Sequence, residues 1–367
     1  MADRMSRRTF VKLAGAGAAA VTVGDNLLHA SAAAAHSLSS HLAAPQAQMP
    51  ALDPQMQAVI DELVALEAPM ITDMTPFNAR QTSPLTNAVQ AVLTKQGKPP
   101  VEPVGNVAHR LIPGGAGQQL LLRIYQPAGD GPFPALVYFH GGGWVIANLD
   151  VYDPSCRALT NAANCAVISV AYRQAPEYKF PAAPEDAFAA YRWVLDNATS
   201  IRVDPNRVAV GGESAGGNLA TVTAMMARDR KAKLPVHQLL VYPITNYAFD
   251  TSSYQQFVNA MPLNTPLMKW FFGYYLRRPA DGANPYVSPL RGNVVGLPPA
   301  TVITAEVDPL RDEGEAYGRF LQNSGVAATI TRYPGVTHEF FSMSAVIDKA
   351  KQAVAEAANG LKQAFGA

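Results

Sequence analysis

From residue 119 onward, short β-rich runs alternate with helix-forming ones, and no other feature of the chain limits its fold so strongly. The strand candidates are Leu120–Tyr125, Ala135–His140, Ala166–Tyr172, Arg207–Gly212, Gln238–Tyr242, Ala300–Ala305 and Ala328–Tyr333. Several are apolar throughout, as strands buried on both faces of a parallel sheet must be. Helical patterns lie between them at Pro184–Asp196, Ala215–Arg228 and Arg311–Asn323. A last helix over about 345–365 carries one apolar stripe, Ile347, Ala350, Val354, Ala358, Leu361 and Phe365. Strand–helix alternation of this length predicts a doubly wound α/β fold.

Residues 245–295 break the rhythm. They hold Tyr247, Phe249, Tyr254, Phe257, Trp270, Phe271, Phe272, Tyr274 and Tyr275, and they are too long for a connecting loop. A helical insertion over one edge of the sheet is expected. Upstream, 57–105 shows a helical pattern (Val59, Leu63, Leu66) and then a Pro-rich stretch. The expected division is therefore a first core part at 106–244, the insertion at 245–295 and a second core part at 296–367. Residues 35–56 read as an Ala-, Ser-, His- and Pro-rich linker.

The first 34 residues read as an export signal. Arg7 and Arg8 precede Phe10, a short mildly apolar run follows over 13–23, and small residues come after it. The paired arginines predict the twin-arginine route and a periplasmic or secreted protein. The apolar run is shorter than the roughly 20 residues of a membrane span. Removing residues 1–34 changes the net charge from +1 to −1, so no basic face for nucleic acid is expected. In an oxidising compartment Cys156 and Cys165 could form a disulfide. A helix between them would hold them roughly 13 Å apart, beyond the ~7 Å a bridge tolerates, so two buried thiols are expected.

The stretch Gly211-Gly-Glu-Ser-Ala-Gly-Gly217 joins a strand to a helix. A dinucleotide fingerprint fails there, because the third position is Glu213 or Ser214 rather than glycine. A P-loop fails for want of a lysine. What fits is G-x-S-x-G, a turn that holds Ser214 off the sheet as a nucleophile. His140-Gly-Gly-Gly-Trp144 follows an earlier strand. Ester hydrolysis passes through an oxyanion that needs backbone N–H donors, and the expected donors are Gly142, Gly143 and Ala215.

A serine needs a base. Of the seven histidines, His29, His36 and His41 lie in the signal and linker, and His109 precedes the sheet. His140 opens the glycine motif and His237 opens a strand. His338 alone sits in a loop after the last strand. A zinc reading fails because position 342 is Ser, not a second His. The base in turn needs a carboxylate. Asp308, just past the strand Ala300–Ala305, is preferred over Glu306 and Asp312, because Pro309 keeps it extended. Trp144 and Glu213 are expected beside the substrate, with cap core as the alternative for the aromatic residues.

These motifs resemble the bacterial hormone-sensitive-lipase-like family of α/β-hydrolases. The resemblance covers roughly 65–367. It rests on HGGGW at 140–144, YRQAPE at 172–177, Phe180-Pro-Ala, Asp204-Pro-Asn-Arg-Val, GESAGGNLA, Ser288-Pro-Leu, Asp308-Pro-Leu-Arg-Asp-Glu313 and His338-Glu-Phe. It implies an α/β-hydrolase fold with a mostly parallel central sheet flanked by helices, and a helical cap built from 57–105 and 245–295. It also implies hydrolysis of carboxylic esters, of short to medium acyl chain, through a Ser–His–Asp triad and an acyl-enzyme, without cofactor or metal. The implied partner is a small-molecule ester, with no nucleic acid, no stable membrane anchor after signal cleavage, and homo-oligomerisation left open. Amidase, lactonase or acyltransferase chemistry would use the same triad. Receptors on this fold have lost a triad member, and here all three are present. Two residues depart from the family pattern: Glu213 stands where Asp or Thr is usual, and Gln174 where Leu is usual.

Overall fold

The computed structural model describes residues 49–366. The expected export signal, and most of the linker, lie outside them. Helix α1 (Pro54–Ala65) starts before the linker was expected to end, because the Asp53 side chain accepts from the Gln55 N–H and Pro54 needs no partner at the first position. Helices α2 (Pro76–Arg80) and α3 (Pro84–Lys95) follow.

The core then alternates as expected. Strands β1 (Asn106–Pro113), β2 (Gln119–Gln126) and β3 (Phe133–Phe139) lead to α4 (Asp153–Ala163). Next come β4 (Ala166–Ala171), α5 (Ala182–Asp196), β5 (Val203–Glu213), α6 (Ala215–Asp229) and β6 (Gln238–Val241). The insertion holds α7 (Ser252–Gln256) and α8 (Thr265–Tyr275), and β7 (Ala300–Val307), α9 (Arg311–Asn323), β8 (Ala328–Thr337) and α10 (Asp348–Phe365) complete the chain.

One eight-stranded sheet runs in the order β1-β2-β4-β3-β5-β6-β7-β8. β2 pairs antiparallel with both β1 and β4, and every pair from β4 to β8 is parallel. Alternate residues of the central strands enter two separate apolar clusters: Val137, Val210, Leu240 and Val302 join one with α5, α6 and α9, while Leu136, Ala209, Leu239 and Ile303 join the other with α4 and α10. Two-sided burial is why these strands read as unbroken apolar runs.

Two expectations are corrected. His109 does not precede the sheet: it lies in β1, an edge strand so exposed that no apolar run marks it. The insertion is less helical than expected, since much of it is loop and three-residue-per-turn segments at Pro279–Ala283 and Pro289–Arg291. Prolines at 262, 279, 285 and 289 remove the donors a continuous helix needs. Cys156 and Cys165 are both buried free thiols.

Candidate active site

The sharp turn between β5 and α6 carries Ser214 at φ 58°, ψ −118°, a conformation that costs energy in any residue with a side chain. Its backbone is fully engaged. The N–H donates to Val241 O (2.9 Å), and the carbonyl accepts from Asn218 (3.1 Å) and Ile244 (3.2 Å). The turn also presses α6 against β3, so that a Cβ on Gly216 would collide with the Phe139 carbonyl oxygen. This contact, more than any torsion, requires glycine at the last position of the motif.

Three side chains far apart in sequence meet here. His338 Nε2 lies 3.0 Å from Ser214 Oγ, and His338 Nδ1 lies 2.7 Å from Asp308 Oδ2. Asp308 comes from the loop after β7, where its other oxygen accepts from the Leu310 N–H at 2.8 Å. The carboxylate fixes the proton on Nδ1 and leaves Nε2 free to accept from the serine. All three are nearly inaccessible: Ser214 is 4% exposed, His338 3% and Asp308 0%. Burial pulls the His338 pKa down, but the charge and hydrogen bond of Asp308, then Glu339 and Glu213, outweigh it and hold it above the ordinary imidazole value. The rival carboxylates are committed elsewhere. Glu306 accepts from the Gly335 N–H, and Asp312 accepts from the Ser253 N–H and pairs with Arg311.

The glycine turn after β3 stands alongside. Gly142 has φ +94°, and a Cβ there would strike Ile146 O, so only glycine fits. Among the described residues, none accepts a hydrogen bond from the N–H of Gly142, Gly143 or Ala215. The turn's carbonyls, by contrast, are held from outside. Ala175 N–H donates to Trp144 O (2.9 Å), Arg80 Nε to Val145 O (2.7 Å), and Gln174 Nε2 to Ile146 O (2.7 Å) and Ala147 O (3.1 Å). Gln174, the departure from the usual Leu, thus makes two hydrogen bonds that Leu could not. His140 donates from Nδ1 to Gly141 O and stacks on Tyr172, and burial lowers its pKa to about 4.

The insertion packs on this turn. Phe271 of α8 lies against Gly143, where any Cβ would overlap its ring. Trp144 is fully buried, stacked on Tyr275 with ring centroids 4.0 Å apart, and next to Phe272. Its observed contacts are those of cap core.

Glu213 is corrected more firmly. It is fully buried, accepting from Tyr138 (2.5 Å) and Tyr242. Because residues alternate along β5, it points into the protein beside Ser214 rather than toward a substrate. Sequence reasoning missed Glu339, whose Oε1 lies 3.6 Å from His338 Nε2, and Tyr152, which donates to both its oxygens at 2.8 Å. The only signal was the adjacency of Glu339 to His338. Among the described residues there is no cluster of metal-binding side chains, and no helix is long and apolar enough to cross a membrane.

The sheet order, the strand–turn–helix at Ser214 and the neighbouring glycine turn define an α/β-hydrolase. The model of a family described by its alpha/beta hydrolase fold matches residues 136–342. The chain is 39% identical over 252 residues to an ethyl acetate hydrolase of Pseudomonas putida, covering 67% of this chain and 79% of that one. It is 42% identical over 239 residues to the carboxylic ester hydrolase LipN of Mycobacterium tuberculosis, covering 63% of each. A solved hyperthermophilic esterase from the archaeon Pyrobaculum calidifontis superposes with a TM-score of 0.79 at 38% identity, over 87% of this chain and all of that one. The protein belongs to the hormone-sensitive-lipase-like family of α/β-hydrolases and is a carboxylic-ester hydrolase.

Proposed function

We propose that Ser214, His338 and Asp308 form the catalytic triad and that hydrolysis proceeds through an acyl-enzyme. The observation that carries this reading is the pair of hydrogen bonds made by His338: Nε2 accepts from Ser214 Oγ at 3.0 Å and Nδ1 donates to Asp308 Oδ2 at 2.7 Å. His338 Nε2 takes the serine proton as Oγ attacks the ester carbonyl. The C–O π pair moves onto oxygen, which the N–H groups of Gly142, Gly143 and Ala215 receive. As the carbonyl re-forms, the alkoxy group leaves with the proton from Nε2. Water then gives a proton to Nε2, attacks the acyl carbon, and Ser214 leaves with that proton as the acid is released. Asp308 stays ionised and holds the imidazolium.

Short to medium acyl chains suit a site this enclosed, with Phe271 packed against the glycine turn. The relative named for ethyl acetate points the same way. The test is Ser214→Ala with a p-nitrophenyl ester chain-length series. The variant is expected to lose at least about a thousandfold in kcat, with the wild type preferring chains of about eight carbons or fewer. Stoichiometric phosphonylation at Ser214 should accompany inactivation. Full activity in the variant would end this mechanism.

We further propose export through the twin-arginine route, on the basis of residues 6–34 alone. Cell fractionation of the Arg7→Lys/Arg8→Lys protein should leave it in the cytoplasm. Unchanged export would reject the proposal.

A further inference from the structure

Behind the reacting histidine lie two carboxylates that the mechanism does not use. Glu213 ends β5 and accepts from Tyr138 on β3 and Tyr242 after β6. Glu339 follows His338 and accepts from Tyr152 at the start of α4. Both address His338. Tyr242, which holds Glu213, packs its ring on the imidazole at 4.4 Å. Glu339 Oε1 stands 3.6 Å from Nε2, the nitrogen that faces Ser214.

The charges around this cluster do not balance. Three carboxylates, Asp308, Glu213 and Glu339, surround one imidazole. The other titratable groups facing them are Tyr138, Tyr152, Tyr242 and the buried thiol of Cys156, with Tyr172 and His140 beyond Tyr152, and Tyr254 and Glu313 on the Asp308 side. Among the described residues no Lys or Arg is paired with Glu213 or Glu339. Three buried negative charges beside one imidazole are not sustainable without a cation. The conflict is relieved by protonating the most enclosed carboxyl. Glu213 is fully buried, whereas the Glu339 side chain keeps 19% of its exposure.

We propose that Glu213 and Glu339 are positioning residues that carry a single negative charge between them and thereby set how readily His338 takes up the serine proton. Glu213 holds the proton at neutral pH, and Glu339 holds the charge, steadied by Tyr152. If either is neutralised, the other takes the charge, so that the field at His338 is kept. Burial, then the charge of Glu339, raises the Glu213 pKa; burial likewise raises that of Glu339, opposed by His338 and Tyr152.

The inference rests on His338 acting as the base, and two measurements keep the ideas separable. The first is the pH profile of kcat/KM. Glu213→Gln and Glu339→Gln should each move the acid limb by only a few tenths of a pH unit, because the partner keeps the charge. The double variant E213Q/E339Q should move it down by about one unit, since no carboxylate beyond Asp308 then favours the imidazolium. A purely structural role would lower kcat or Tm and leave the limb in place. An unmoved limb in the double variant, or the whole shift already present in E339Q, overturns the proposal.

The second measurement needs no turnover. Infrared difference spectra at neutral pH should show a buried protonated-carboxyl band in the wild type. That band should be lost in E213Q, and also lost in E339Q as Glu213 ionises. The separate buried carboxyl of Glu313 should contribute equally to all of them. This arm also stands if the double variant does not fold. A band that is the same in wild type and E213Q overturns the shared charge, whereas activity retained in Ser214→Ala or His338→Ala would instead remove the triad.

Discussion

Arg80 and Val145 are 65 residues apart in sequence, yet the Arg80 Nε hydrogen is donated to the Val145 carbonyl over 2.7 Å. The same guanidinium reaches Ala175 O at 2.5 Å and both oxygens of Glu177 at 3.0 and 2.7 Å. One side chain from α2 therefore clamps the turn that contains Gly142 and Gly143. The planar fork is what makes these four bonds geometrically compatible.

Replacing Arg80 by Met should loosen that turn without touching the triad. Loss of a charge-assisted hydrogen bond that positions oxyanion donors is expected to lower kcat by about tenfold or more, with a smaller change in KM. Steady-state kinetics on one ester decides it. An increase confined to KM would show that Arg80 serves binding instead.

Gln174→Leu restores the family's usual residue and removes two hydrogen bonds, to Ile146 O and Ala147 O. Leaving those carbonyls unpaired is expected to cost about 1–3 kcal/mol. Denaturant unfolding should show a lower midpoint at an unchanged slope.

The rate should depend on pH with a definite sign. Only neutral His338 can accept the serine proton, so kcat/KM falls as pH drops through the His338 pKa. Burial alone would put that midpoint low, but Asp308 raises it above 6.5. The wild-type acid limb is therefore expected above the ordinary imidazole value. Asp308→Asn should cost about 10⁴ in kcat through the wrong tautomer. A wild-type limb well below 6.5 would contradict the assignment.

Glu313 offers a prediction for stability. Its Oε1 accepts from the Thr245 and Asn246 N–H groups, while Oε2 has no partner. Burial pushes its pKa up from 4.5 to about 8, against the hydrogen bonds. A raised carboxyl pKa means that the folded state binds more protons than the unfolded one between those values, so its contribution to stability declines as pH rises from 4.5 toward 8. Glu313→Gln should remove this decline. Relative to wild type its Tm should gain as pH rises through that window, and a constant difference would refute the claim.

Much of this was legible because local chemistry left few options. The run Ala135 to Phe139 is apolar at every position because both faces of β3 are covered. Gly216 is legible because the close approach of Phe139 leaves room for nothing larger. Asp308 could be preferred to Glu306 through Pro309, and the structure gives Glu306 a different partner, Gly335. Strand β1 was missed for the opposite reason: as an exposed edge it needs pairing with β2, not burial, to exist. Glu213 falls on the other side of the turn from that expected, because the sequence shows its neighbour Ser214 but not Tyr138, which comes from β3, or Tyr242, which follows β6. Arg80 carried no signal, since the two bonds that clamp the loops go to backbone carbonyls with no side-chain identity to read, and its ion-pair partner Glu177 lies 97 residues away.

The elbow at residue 214 is held by its own amide and carbonyl, through Val241, Asn218 and Ile244, and none of these bonds passes through the hydroxyl. Chemistry and scaffolding are thus separable at a single atom. Deleting that oxygen should leave an inert twin of the enzyme, unchanged in outline and still able to hold an intact ester. Such a decoy is the natural bait for fishing the physiological compound out of a metabolite extract.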